Sequence, residues 1–208
     1  MVCWSAENAT KAYIQALKGK RGKDLDEAEF ISAIAAGNNA QLMVTVAASA
    51  ATARSITLPL VAAAHQTKGL VVCILPPTLS NSCAPPPNGL GHYPENVKFV
   101  TGDAKTLLMN DYKGADFVAI DCNIDDRVEI FRAAHESASQ KRRIVVGYNA
   151  FHKGSWASEF NTRFLPIGEG LLVSRISKAV DKADDRKRNK WIVEFDPCTG
   201  EEHIYRLS

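Results

Sequence analysis

The stretch QLMVTVAASAATARSITLPLVAAAHQTKGLVVCIL, residues 41–75, decides the fold class. Its ends, Gln41–Ala48 and Gly69–Leu75, are short apolar runs rich in β-branched residues. Such runs are typical of strands buried on both faces of a parallel sheet. Between them, Ser49–Ser55 predicts a loop of small residues and Ile56–Lys68 predicts a helix. Strand, helix and strand in this order predict a right-handed crossover between parallel strands.

The alternation of helices and strands continues on both sides of this unit. Ahead of it, Ser5–Lys18 and Asp26–Gly37 predict helices, because their apolar residues recur at helical spacing. After it, the pattern predicts strands Val97–Thr101, Ala115–Asp121 and Arg143–Tyr148, and helices Ala104–Asn110 and Asp126–Lys141. This alternation predicts one α/β sheet.

The C-terminal part is richer in strands. Residues Arg163–Ser177 predict a hairpin, and Trp191–Leu207 predict a second one after a charged connector. We expect a single domain over residues 1–208. Its parts are the N-terminal helices in residues 1–40, the core sheet in 41–177, and the connector with the C-terminal hairpin in 178–208.

The segment 76–94 interrupts the alternation. It contains the triple proline Pro85–Pro87 together with Gly89 and Gly91, so it does not form a regular helix. Loops of this length are usually functional or disordered. Both a passive loop and a lid over a ligand fit the pattern.

Composition narrows the function classes. A chain of 208 residues with 46% hydrophobic residues suits a globular domain with a sizeable core. The net charge of +2 gives no reason to expect nucleic acid or an anionic membrane as a partner. No run approaches the ~18 apolar residues that span a bilayer, and the N-terminus lacks the pattern of a signal peptide. A small-molecule ligand, a protein partner and a homodimer stay open.

The five cysteines are far apart, odd in number and without a C-x-x-C pair. This arrangement implies neither a disulfide framework nor a zinc site. We therefore expect a reducing compartment, the cytosol or the nucleus.

Ligands of open α/β sheets bind beyond the carboxyl ends of the strands, so the loops there hold the candidate site. The loop Ala47–Ala53 follows the first strand and lacks a glycine that would let backbone approach a ligand closely. Two alternatives remain for it. The hydroxyls of Ser49 and Thr52 and the next helix N-terminus could meet a polar group, or the loop is a tight packing turn.

Carboxylates follow the third and fourth predicted strands. Asp103 could accept a hydrogen bond from an adenine amino group, or it could cap the following helix. Asp121 ends a very apolar strand, where burial of a carboxylate is costly unless a metal, a hydrogen bond or a ligand compensates. Asp121 is therefore the strongest single site candidate. Asp126 is predicted to be the N-cap of the next helix.

The loops after the second and fifth predicted strands are expected at the same edge of the sheet. The second strand ends at Leu75, with no carboxylate to accept the two hydroxyls of a ribose. After the fifth strand, Asn149 could hold a hard cation or a substrate hydroxyl. His152 could act as a general base or be a solvated loop histidine.

Several of these loops resemble those of a known family. Phe99–Ala104 (FVTGDA) and Ala115–Asp121 (ADFVAID) resemble the third and fourth motifs of class I methyltransferases. Glu29–Ser32 is similar to the helix ahead of the first strand in caffeoyl-CoA-type O-methyltransferases, and Leu165–Ile176 resembles their closing hairpin. The opening Trp4–Tyr13 also resembles a plant-specific group of methyltransferase-like proteins.

The resemblance spans residues 25–177 and implies a doubly wound, mostly parallel, seven-stranded Rossmann-like sheet with strand order 3-2-1-4-5-7-6. It implies S-adenosylmethionine as cofactor, with Ala47 and Ala51 where the first motif has glycines and Leu75 where the ribose carboxylate stands. The implied cofactor-binding residues are Ala47, Ser49, Ala51, Asp103, Ala104 and Asp121.

In the resembled O-methyltransferases a divalent cation is held by a carboxylate after the fourth strand and an Asp-Asn pair after the fifth. Asp121 matches the first ligand, but the pair reads Tyr148-Asn149, so an acidic ligand is missing. Fewer oxygen ligands weaken the binding of Mg²⁺ or Ca²⁺, and we expect no metal site. Asp121 and Asn149 are expected to orient the substrate in a reaction driven mainly by positioning.

Three functions remain open at this stage. The chain could be a methyltransferase with an altered site. It could instead be a pseudoenzyme that keeps the fold as a binding or scaffolding module, with the proline-rich loop or the C-terminal hairpin as contact surface. It could also bind another small ligand at the same edge of the sheet.

Overall fold

The helices and strands follow the predicted alternation. The computed structural model describes residues 4–18, 27–77, 96–137, 143–151, 156–176, 191–195 and 202–206. In chain order the elements are α1 (Ala6–Lys18), α2 (Glu27–Gly37), β1 (Leu42–Val46), α3 (Ala50–Thr67), β2 (Leu70–Leu75), β3 (Val97–Thr101), α4 (Ala104–Met109), β4 (Phe117–Asp121), α5 (Arg127–Glu136), β5 (Arg143–Tyr148), a 3₁₀ turn (Trp156–Phe160), β6 (Arg163–Leu165), β7 (Leu171–Ile176), β8 (Trp191–Phe195) and β9 (Glu202–Arg206). They fall into two units, Met1–Ser177 and Lys178–Ser208.

Strands β1 to β7 form one sheet in the order β3-β2-β1-β4-β5-β7-β6. The pairs β1–β2, β1–β4, β2–β3 and β4–β5 are parallel, whereas β7 runs antiparallel to both β5 and β6. The predicted sheet and its strand order are confirmed. Because the order reverses at β1, the edge beyond β1 and β4 is the place where open α/β sheets bind ligands.

Helices cover both faces of this sheet. Met43 and Phe117 belong to a buried cluster with residues of α1, α2 and α3, while Val44 and Val118 belong to a second cluster with residues of α4 and α5. Side chains alternate between the two faces along a strand. Burial on both faces explains why these strands read as continuous apolar runs.

Helix α3 begins earlier than predicted. Its N-cap, Ser49, has extended backbone, and its Oγ accepts a hydrogen bond from the backbone N–H of Thr52 at 3.2 Å. The backbone N–H of Ser49 donates in return to Oγ1 of Thr52 at 3.0 Å. This reciprocal capping and the alanines that follow favour helix over loop. The predicted loop Ser49–Ser55 is therefore wrong, and the true connection from β1 is Ala47–Ser49.

Arg143, at the start of β5, is a buried guanidinium that joins three segments. Its Nε donates to the carbonyl oxygen of Ala115 at 2.7 Å, and its Nη1 donates to the carbonyl oxygen of Ala134 at 2.5 Å and to Oγ of Ser137 at 2.6 Å. Its Nη2 donates to the carbonyl oxygen of Lys113. Burial lowers the pKa of Arg143. These donors tie the end of α5 and the approach to β4 to the first residue of β5.

The second unit contains the antiparallel pair β8–β9, with Val193 opposite Ile204. This pair lies where the sequence predicts the C-terminal hairpin, and its turn lies outside the described residues. In the parts of the chain that the structure describes, no helix has the length and apolarity needed to cross a membrane.

Candidate functional site

Asp121 lies at the carboxyl end of β4 and connects three loops. Its side chain is completely buried. Oδ2 accepts a hydrogen bond from the backbone N–H of Ala48 at 3.2 Å, and Oδ1 accepts from the backbone N–H of Asn123 at 3.0 Å and from Nδ2 of Asn149 at 2.9 Å. One carboxylate therefore holds together the loops that follow β1, β4 and β5. These hydrogen bonds supply the compensation that a buried carboxylate requires.

Tyr148 lies beside this carboxylate at the end of β5. Its hydroxyl donates to the carbonyl oxygen of Val46 at 3.4 Å. Burial, followed by the nearby charge of Asp121, raises the pKa of Tyr148 well above its ordinary value. The phenol therefore stays protonated and reinforces the contact between β5 and the end of β1.

Asn149 directs its amide nitrogen, and not its oxygen, toward Asp121. A carboxylate only accepts hydrogen bonds, so Asn149 turns its nitrogen toward Asp121, whereas a shared cation needs oxygens from both side chains. Asn149 is held there in the left-handed region, with φ of 56°. Among the residues that the structure describes, no group of three or more His, Cys, Asp or Glu side chains could hold a metal ion.

The loop after β1 is a tight turn stabilised within the protein. The backbone N–H of Ala47 donates to the carbonyl oxygen of Ile74 at 3.2 Å, and Ala47 is completely buried. The hydroxyls of Ser49 and Thr52 belong to the cap of α3, while Ala51 is exposed on its first turn. The structure thus contains the packing turn that the sequence left as one alternative. A role of these residues toward a cofactor stays a prediction.

Asp103 is the N-cap of α4. Its Oδ2 accepts hydrogen bonds from the backbone N–H of Thr106 at 2.9 Å and from Oγ1 of Thr106 at 2.6 Å. The bond from the Thr106 hydroxyl is the main reason why the pKa of Asp103 is lowered. A carboxylate has about four lone-pair positions, so two bonds to Oδ2 leave Asp103 able to accept from a ligand as well. Ala104 is buried in the first turn of the same helix.

Asp126 is the N-cap residue of α5, as predicted, but its side chain does not cap the helix. Asp126 precedes α5, but its backbone (φ −80°, ψ 18°) lacks the extended conformation of a capping residue, and its side chain makes no cap hydrogen bond. Its Oδ2 instead lies 3.5 Å from Nζ of Lys105.

Leu75 ends β2, where the resemblance to class I methyltransferases implies a ribose carboxylate. It packs in a buried apolar cluster with Ala47, Ala53 and Cys73. The second strand therefore ends in hydrophobic contacts rather than in a hydrogen-bond acceptor. His152 and most of the proline-rich loop lie outside the described residues.

Two cavities adjoin this edge. The smaller has a volume of about 130 Å³ and lies at the ends of β1, β2 and β3, where Val46, Ile74 and Gly102–Ala104 line it together with Ile124 from the turn after β4. We call it the edge cavity. Much of its wall is apolar, and three charged residues, Asp103, Lys105 and Asp126, also line it.

The larger cavity has a volume of about 470 Å³ and lies among α1, α2, α3 and the end of β5. We call it the helical cavity. Its lining includes Asn149, Thr52 and Ser55, and also Glu27 and Glu29 of α2. The sequence analysis did not single out Glu27 or Ser55. The available signal was a pair of acids at the start of an otherwise apolar helix.

The whole-chain comparison decides the family. Residues 1–207 match the family described as "Protein of unknown function (DUF1442)". The chain belongs to this family. No curated protein matches the sequence of this DUF1442 chain.

Solved structures resemble the DUF1442 chain in fold. A putative caffeoyl-CoA O-methyltransferase from Staphylococcus aureus aligns with a TM-score of 0.54 and 12% identity, over 82% of this chain and 92% of that one. The SAH-bound methyltransferase PaMTH1 from Podospora anserina aligns with a TM-score of 0.51 and 12% identity, over 84% and 90%. Cofactor-bound Rv0187 from MTB aligns with a TM-score of 0.51 and 14% identity, over 80% and 88%. The chain therefore has a Rossmann-like, methyltransferase-like fold.

Proposed function

We propose that this chain is an S-adenosylmethionine-dependent methyltransferase whose cofactor site is altered and works without a metal ion. The observation that carries the proposal is the edge cavity at the point where strand order reverses, next to the loops that Asp121 holds together. Two of the similar structures are SAH-bound and cofactor-bound proteins. The proposed cytosolic or nuclear location and the plant resemblance rest on the sequence alone.

The residues of the edge cavity suit the adenosine half of this cofactor. Val46 and Ile124 offer apolar walls to a planar base, and Asp103 can accept a hydrogen bond from its amino group. The N-terminus of α3, with Ser49 and Thr52, offers polar groups to the other end of the molecule. When bound, the cofactor supplies an electrophilic methyl group.

The altered positions reduce affinity without removing the site. Leu75 offers no acceptor for the ribose hydroxyls, and Ala47 is completely buried in the same apolar cluster. We therefore expect binding in the micromolar range, weaker than a site that pairs both ribose hydroxyls.

Asp121 and Asn149 have different roles in this proposal. Asp121 is a positioning residue, because its buried oxygens accept from three donors of the protein itself. Asn149 lines the helical cavity and can present its Oδ1 to the methyl acceptor, since its Nδ2 is turned toward Asp121. Methyl transfer depends mainly on placing two reactants in line, which a fixed amide serves.

A binding module without catalysis is the second candidate. The apolar packing of Leu75 with Ala47 favours it, because that packing replaces two groups on which cofactor affinity usually depends. In this reading the edge cavity is a remnant of an ancestral cofactor site.

Titration calorimetry of the full chain with S-adenosylmethionine and S-adenosylhomocysteine, with and without Mg²⁺, tests the proposal. We expect micromolar dissociation constants that Mg²⁺ leaves unchanged. Absence of heat at millimolar ligand, together with an unshifted melting temperature, would contradict it and favour the binding module.

A further inference from the structure

The helical cavity has the dimensions of a small-molecule site. Its volume of about 470 Å³ falls within the range of ligand pockets in proteins. Part of its wall is apolar, formed along α3 by Ile56, Pro59 and Val61. The remaining wall is polar and comes from α1, α2, the first turns of α3 and Asn149.

Facing this cavity from α3 and β5 are two hydroxyls, whose hydrogens are donated elsewhere, and the amide of Asn149, which donates one of its two hydrogens elsewhere. Oγ1 of Thr52 donates to the carbonyl oxygen of Ser49 at 3.0 Å, and Oγ of Ser55 donates to the carbonyl oxygen of Thr52 at 2.9 Å. Nδ2 of Asn149 donates to Asp121 at 2.9 Å. Because a carbonyl or carboxylate oxygen only accepts, these directions are fixed. The Ser55 hydroxyl and the amide oxygen of Asn149 can still offer acceptor lone pairs to a ligand. Oγ1 of Thr52 already accepts from the backbone N–H of Ser49 at 3.0 Å, and the second Nδ2 hydrogen of Asn149 stays available as a donor.

The acids of α2 add acceptors of the same kind. Glu27 and Glu29 are buried, with 7% and 1% of their surface exposed. Oε2 of Glu27 accepts from the backbone N–H of Glu169 at 2.9 Å. An ionised carboxylate only accepts, at about four lone-pair positions. Among the described lining residues there is no Lys, Arg or His, and a side-chain donor is provided by Gln15, whose Oε1 accepts from Gln66.

We propose that the helical cavity binds a small amine, with its ammonium group directed to Glu29 and Asn149 and its apolar body against α3. An ammonium group carries donors and positive charge, and it accepts nothing, so it complements a wall of acceptors. A carboxylate or phosphate ligand would find few partners there, because carboxylate and hydroxyl acceptors of this wall outnumber the amide donors of Gln15 and Asn149. If the chain is a methyltransferase, the bound amine is its methyl acceptor. Only this assignment of the amine as acceptor rests on the proposed function.

Three probes of one shape test the inference on the full chain at neutral pH without cofactor: benzylamine, benzyl alcohol and benzoate. We expect benzylamine to bind at least about tenfold more tightly than benzyl alcohol, because hydrogen bonds to charged groups are the stronger ones. Benzoate should not bind. Equal affinities for the three probes, or no heat with benzylamine, would overturn the proposal.

Variants locate the bound amine. Glu29→Gln should weaken benzylamine about tenfold, whereas Glu129→Gln, on the exposed surface of α5, should leave its affinity unchanged. Ala28→Leu fills the cavity from α2 with a residue of good helix propensity and should abolish binding while the circular dichroism spectrum stays native. If both Glu29→Gln and Ala28→Leu bind benzylamine with unchanged affinity, benzylamine binds elsewhere and the proposal is overturned.

The same titration with saturating S-adenosylhomocysteine separates this inference from the cofactor proposal. Benzylamine binding that persists beside the bound product supports an acceptor cavity distinct from the cofactor site. Competition between the two ligands would instead assign the helical cavity to the cofactor and overturn the acceptor assignment. A chain that binds benzylamine but no cofactor keeps the amine site and loses the proposed function.

Discussion

The edge cavity and the helical cavity adjoin the same strand ends but are built differently. The edge cavity is formed by residues at or just beyond the ends of β1, β2, β3 and β4 and by the first turns of α4 and α5, in positions that the alternation of the chain fixes. The helical cavity is formed by α1, α2 and α3, which meet through tertiary packing. The sequence pattern around the strand ends therefore predicts the fold, whereas the chemistry of an acceptor site depends on which helices pack over those strand ends.

The largest expected effect comes from Asp121, which bonds to Ala48 in the loop after β1 and to Asn149 in the wall of the helical cavity. Asp121→Ala leaves buried donors without an acceptor, so we expect unfolding free energy to fall by about 3 kcal/mol. Binding of S-adenosylhomocysteine and of benzylamine should both be lost. Urea denaturation and calorimetry measure these effects, with exposed Asp125→Ala as control. Retention of either ligand would show that Asp121 does not join the two cavities.

An intermediate effect is expected at Asp103, which belongs to the edge cavity alone. Asp103→Ala removes the cap of α4 and should cost about 1 kcal/mol of stability. The substitution should weaken the binding of S-adenosylhomocysteine and leave the affinity for benzylamine unchanged. Equal weakening of both ligands would break the distinction between the cavities.

The same residue gives the stability of the chain a dependence on pH. The pKa of Asp103 is lowered in the folded state by the hydroxyl and the backbone N–H of Thr106. Its contribution is therefore fully present above the unfolded pKa of about 3.9 and is lost as pH falls through the lower folded pKa. The stability difference between the native chain and Asp103→Asn should shrink between neutral pH and pH of about 3. A difference that stays constant over that range would contradict the assigned cap.

The smallest effect is expected at Asp126. An N-cap Asp replaced by Ala costs about 1 kcal/mol, but Asp126 makes no cap hydrogen bond and its contact with Lys105 is exposed. Asp126→Ala should change the unfolding free energy by less than about 0.5 kcal/mol. A loss like that of Asp103→Ala would show that the Asp126 side chain stabilises α5 as a capping group, which contradicts the structure.

The sequence predicted the sheet well because its strands are buried on both faces, which leaves apolar runs bounded by turns. It failed at Ser49–Ser55, because small residues fit both a loop and a capped helix, and the reciprocal bonds of Ser49 and Thr52 decide for helix. Asp121 was identified as a site candidate, but its three internal hydrogen bonds depend on loops that meet only in the folded chain. Glu29 was noted only in the stretch that resembles the helix ahead of the first strand, and its place in a cavity depends on how α2 packs against α3.

Hydrogen–deuterium exchange of the full chain with and without saturating S-adenosylhomocysteine tests the cofactor site most directly. We predict slower exchange in residues 46–53 and 102–107, which line or adjoin the edge cavity, and unchanged exchange along the exposed face of α1. Slowing confined to other segments, or no slowing at all, would contradict a cofactor site at the carboxyl edge of the sheet.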